Sequence, residues 1–174
     1  MGDLEFRRGE AMREKLLTLD GTVEHDPAID AWFEARGVEL GEMARRWFEV
    51  MRGCGDEVRE VLHDGCPVAC LGDVPFGYVN VFTEHVNVGF FQGAGLRDPE
   101  GLLEGTGKFM RHVKLRVGAE QALGRSRFPG GMTEGKATAT ATGRRAKAEG
   151  VRDRALGALI EAAYADMKGR VENG

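Results

Sequence analysis

Serine is almost missing from this chain. Ser126 is the one serine among 174 residues, so there is no G-x-S-x-G elbow on which a serine nucleophile could sit. Cysteine is sparse too. The 3 cysteines, Cys54, Cys66 and Cys70, are odd in number in a chain long enough to fold without staples, which suits a reducing compartment better than a disulfide framework. With His63 as the one nearby histidine, their spacing does not follow the paired-cysteine pattern of a zinc site. Apolar runs are short, and none approaches the roughly 20 residues of a membrane-spanning helix. Charge of either sign is not in excess either: 24 basic against 28 acidic residues leave −4, which favours solubility and argues against wholesale nucleic-acid binding. The first nineteen residues mix Asp3, Glu5, Glu10 and Glu14 with Arg7, Arg8, Arg13 and Lys15. They lack the apolar stretch of a secretory signal, so the expected location is cytoplasmic, without membrane or nucleic-acid partners.

What is present is ordinary globular material, 42% hydrophobic and 30% charged, enough for one core in one domain. Residues 1–25 read as a charged, loosely attached arm. The domain is expected over 26–117 and again over 150–170. Asp26-Pro27 offers a cap and a first-turn proline, and Ile29, Trp32 and Phe33 follow as an apolar stripe. Leu40, Met43, Ala44, Trp47 and Met51 share one face of a second helix. Asp56, with Val58, Val61 and Leu62 before Gly65, suggests a third.

From Pro67 the period changes to two. Residues 67–71 predict a strand, Gly72-Asp73 a turn, and 76–82 with 85–91 a β-hairpin. An even loop sets Phe82 opposite His85, Asn80 opposite Asn87, Tyr78 opposite Gly89 and Phe76 opposite Phe91. The other face then carries Val79, Val81, Val86, Val88 and Phe90, and must be the side that helices cover. An odd loop would bury an amide among valines, at a cost. Residues 108–117 alternate again, projecting His112, Lys114 and Arg116 to one side, with Lys108 and Arg111 close by. Residues 118–149, with the run from Ala137 to Thr142, read as a low-complexity, disordered insertion. A final amphipathic helix runs from Val151 to Met167. The fold class is therefore α+β: an antiparallel sheet with N-terminal helices and a C-terminal helix packed on one face.

The second hairpin face is the candidate site. Tyr78, Asn80, His85 and Asn87, bordered by Lys108, Arg111 and His112, combine rings, amides and cations that a core rarely needs, and suit a small anionic ligand. A plainly solvated sheet side, or a homodimer contact, are the alternatives. The loop Gly105-Thr106-Gly107-Lys108 is not a Walker loop, because Leu102 stands where glycine is required and Phe109 follows the lysine.

Together, His85-Val86-Asn87-Val88-Gly89-Phe90-Phe91, Gly93-Ala94-Gly95-Leu96-Arg97-Asp98-Pro99, Gly105-Thr106-Gly107-Lys108 and Met110-Arg111-His112-Val113-Lys114-Leu115 resemble the YdhG-like family, a domain of unknown function that includes frataxin-like iron chaperones. The resemblance spans roughly 32–116 and resumes in the last helix. It implies the α+β fold stated above and a non-enzymatic binding or carrier protein for iron, but carries no ligand set onto this chain. For iron, the residues themselves offer Glu57, Glu60 and Asp64, which would share one stripe of the third helix; a solvated face is the plainer account of them. No competent nucleophile or acid–base pair stands out, so a binding protein is preferred to an enzyme.

Overall fold

The computed structural model describes residues 15–117 and 139–173. Helices α1 (Pro27–Glu34) and α2 (Val38–Arg52) precede five strands, β1 (Val58–His63), β2 (Cys66–Leu71), β3 (Val74–Val81), β4 (His85–Phe90) and β5 (Arg111–Arg116), and the long helix α3 (Ala139–Glu172) closes the chain. The strands form one antiparallel sheet in the order β1-β2-β3-β4-β5. Each strand thus pairs with its neighbour in sequence, as short connections favour. The α+β architecture expected from the residues is the observed one. Among the described residues, no helix is long and apolar enough to cross a membrane.

Helix α1 starts as its residues demand: the Asp26 carboxylate accepts the Ala28 N–H at 2.9 Å, and Pro27 takes the first turn. Gly37 carries φ 79° ahead of α2. Four residues on, a Cβ at Gly41 would run into the Phe33 carbonyl oxygen, so glycine lets α2 close on α1. Ala44, Trp47 and Met51 of the α2 stripe are buried. So is Phe48 beside them. They join Ile29, Phe33, Phe76, Val79, Val86, Val88, Phe90, Leu156 and Ile160 in one core. Helix α2 lies across β1 to β4, and α3 against β2 and β3, so the valine face of the hairpin is the covered one.

The expected third helix is instead β1. Val58, Val61 and Leu62 fit a helical period over six residues too short to test it. The deciding feature is Asp64-Gly65, where both residues have positive φ, 49° and 75°. Two such residues form the I′ turn that joins β1 to β2, with His63 opposite Cys66.

The hairpin has the even register: Tyr78 pairs with Gly89, Asn80 with Asn87 and Val81 with Val86. Phe76 still accepts the Phe91 N–H, as that register requires, but its ring leaves the expected face. The β2–β3 register shifts after Ala69, so that Ala69 pairs with Gly77 and Cys70 with Pro75. This bulge turns Phe76 to the helix side, where its ring meets Tyr164 edge-on at 5.8 Å.

Two segments are more ordered than their composition suggests. Leu19 is buried against Val68 and Cys70, its N–H bonded to the Asp73 carbonyl at 2.8 Å, and Val23 exchanges two backbone bonds with Glu60. Residues 15–25 are therefore strapped to the sheet. The last helix begins at Ala139, inside the stretch expected to be disordered; Arg144, Arg145, Ala146, Lys147 and Ala148 are good helix formers even without apolar period. The rest of that expected insertion, 118–138, lies outside the described residues.

Candidate functional site

The side of the sheet away from the helices is built by alternation. Three rungs of β4 and β5 set it out: His85 opposite Arg116, Asn87 opposite Lys114, and Gly89 opposite His112. Strand geometry spaces Arg116, Lys114 and His112 about 7 Å apart along β5, with β4 about 5 Å away. On the inner side of the same rungs Asn80 faces Asn87 and Tyr78 faces Gly89. Cations, then amides, then an aromatic ring follow one another across three strands.

The cations influence one another. The His85 imidazole is held below its ordinary value, first by burial against its surroundings and then by the positive charges of Lys114, Arg116 and His112. Its ring stacks on Phe82 at 4.7 Å and 12°. Two acids relieve the crowding in part: Glu104 stands 3.5 Å from Lys114 and Glu84 4.0 Å from Arg116. Both pairs are long and solvent-facing, so neither neutralises its cation strongly. Beneath the cations, Asn87 Oδ1 is shielded from solvent and has no hydrogen-bond partner among the described residues.

Five of the seven expected site residues share this face: Tyr78, Asn80, His85, Asn87 and His112. Lys108 and Arg111 do not border it. Lys108 lies in the loop before β5, its ammonium 4.7 Å from the Phe109 ring centroid. Arg111 pairs with Phe90, on the opposite side of the strand, and its guanidinium donates to the carbonyls of Gly107 and Met110. It therefore staples the loop. Lys114 and Arg116 supply the border instead. The signal for them was the two-residue alternation of β5, which outweighs closeness in sequence.

Space over Gly89 is not vacant. A Cβ there would collide with the Tyr78 ring, so the glycine makes room for tyrosine, which also meets Phe91 edge-on at 5.8 Å.

The three carboxylates proposed for iron do not come together. Without the helix that would align them, Glu57 precedes β1 and accepts from Tyr164 Oη and Lys168 Nζ, each at 2.6 Å. Those bonds lower its pKa to about 2. Glu60 is 1% exposed and spent on Arg52, whose Nη2 donates to Oε1 at 2.8 Å, while the Asp26 N–H donates to the same oxygen at 2.7 Å. Asp64 sits exposed in its turn. Among the described residues no three His, Cys, Asp or Glu side chains converge as a metal site.

Burial pushes the Cys70 thiol up to about 12, helped by Asp73, and Cys54 up to about 11, helped by Glu161. Cys66 is raised for the same reason. These sulfurs stay protonated near neutrality, when thiolate is the reactive form.

Comparison with family models, curated proteins and solved structures gives no match to this chain.

Proposed function

We propose that this chain is a binding protein for a small anionic molecule, held on the open face of the sheet over β4 and β5. The observation that carries this reading is the run of rungs that puts His85, His112, Lys114 and Arg116 around Asn87. Grouping cations costs folding free energy through mutual repulsion, which adds to burial in depressing His85. An anion would relieve it, the guanidinium by a fork and the ammonium as a point charge. Binding is preferred to catalysis because the thiols are protonated and Glu57 and Glu60 are committed to structural pairs. Membership of the YdhG-like family remains the proposed ancestry, supported by the segments quoted above and the agreement in architecture. A cytoplasmic location is proposed with it, supported by the free cysteines.

The test is a titration of the full chain with inorganic phosphate and with acetate, followed by amide NMR shifts. Shifts should centre on β4 and β5, and the double variant Lys114→Ala, Arg116→Ala should weaken binding at least tenfold while melting like the parent. Unchanged binding in that variant overturns the reading. Ferrous iron, titrated under reducing conditions, separates it from iron carriage, since a carrier would bind that ion in the micromolar range or tighter.

A further inference from the structure

The face does not end at His112. Met110 comes two residues earlier, just ahead of β5, and is 43% exposed. On the neighbouring strand the sequence His85, Asn87, Gly89 is continued by Phe91, whose N–H bonds the Phe76 carbonyl. Both thus change from polar to apolar in the same direction. At that end, a groove of about 200 Å³ opens where the strap, the end of the sheet and α3 meet, lined by Leu16, Leu17, Pro75, Phe91, Met110 and, from α3, Met167 among others. Leu17 stands 56% exposed at its lip. Strand geometry puts Lys114 about 14 Å from Met110 and His112 about 7 Å from it.

We propose that the ligand of the open face is an amphiphilic carboxylate: its head sits among His85, His112 and Lys114, and its single apolar chain runs along β5, beside the Tyr78 ring that fills the place over Gly89, into the groove between Leu17 and Met110. This rests on the anion reading and narrows it. Charge and apolar surface are both needed to select such a molecule. The cations reject neutral lipids and the groove adds nothing for phosphate. A second copy of this chain is a poor occupant, because pairing this face with itself would oppose cation to cation. The occupant is a free monomer rather than a bilayer, since the groove is walled on one side by the strap and admits one chain.

Octanoate, kept below its micelle-forming concentration, is the probe, with acetate as the head alone and octanol as the tail alone. Each methylene taken out of water strengthens binding by about fourfold, so seating a few of them should make octanoate at least tenfold tighter than acetate. Octanol should bind more weakly than octanoate. Met110→Gln and, separately, Leu17→Gln change exposed side chains without adding charge and should remove the octanoate advantage while leaving acetate binding as it was. If octanoate binds no tighter than acetate, or keeps its advantage in both variants, the inference falls. Should acetate and phosphate themselves ignore Lys114 and Arg116, the broader anion reading falls with it. Normal acetate binding without a chain-length effect removes only the amphiphile.

Discussion

The Tyr78 ring lies over Gly89, its cross-strand partner, in the place that a side chain at position 89 would fill. The pair closes the middle of the open face and fixes how far a ligand can settle between Asn80 and His112. Gly89→Ala would drive the ring off its strand. We expect a loss of about 1–3 kcal/mol, typical of overpacking, read from urea unfolding. A variant as stable as the parent would mean the ring moves aside freely.

Arg52 and Glu60 form the buried ion pair of the domain's edge. Arg52→Met leaves a fully buried carboxylate with the Asp26 N–H and a long contact to His25 at 3.5 Å. The expected cost is about 3–5 kcal/mol. Adding Glu60→Leu should recover much of it, because two apolar side chains need no counter-charge. Chemical denaturation of the single and double variants checks the order.

Glu57 should make stability sag in acid. Its folded pKa is lowered from 4.5 to about 2 by the bonds from Lys168 and Tyr164, so the stabilisation is complete above 4.5 and is lost as pH falls through the folded value. Glu57→Gln should flatten the melting temperature between roughly pH 5 and 2.5 relative to the parent. The pair is exposed, so near neutrality the variant should melt only slightly below the parent, and the two should converge in acid.

His85 gives anion binding a pH dependence of known sign. Its folded pKa is depressed by burial and by Lys114, Arg116 and His112, so the free protein resists protonation there and loses stability as pH falls below the ordinary imidazole range. A bound anion favours the charged ring. Acetate, which keeps its charge there, should therefore bind more tightly as pH falls through and below the ordinary imidazole value of about 6.5, with proton uptake measurable in calorimetry at two buffer enthalpies. His85→Asn should remove most of the slope.

Asn80→Ala with Asn87→Ala should weaken ligand binding while leaving stability nearly unchanged. Both side chains are partly exposed on the open face, and removing Asn87 also removes a shielded oxygen without a partner. Thermal melts beside the acetate titration decide it; a large stability loss would make the amides scaffold.

Local pattern was enough for much of this protein. The change of period from 3.6 to two near Pro67 announced helices followed by strands. The cost of burying an amide chose the hairpin register, and the alternation from Met110 to Arg116 put His112, Lys114 and Arg116 on one side of a strand. Such readings work because side-chain direction along one element depends on the element alone. Tertiary structure decided what depends on partners. Val58 to His63 suits either period and became a strand because the Asp64-Gly65 turn folds β2 back to pair with it. Phe76 crossed to the core because a bulge between β2 and β3 shifted its alternation. Glu60 was withdrawn from any metal by Arg52, on another element, since a buried carboxylate needs a counter-charge wherever the fold can bring one. Arg111 left the site for the loop carbonyls behind it, and residues 15–25 became a strap because the sheet had apolar surface left for Leu19 to cover.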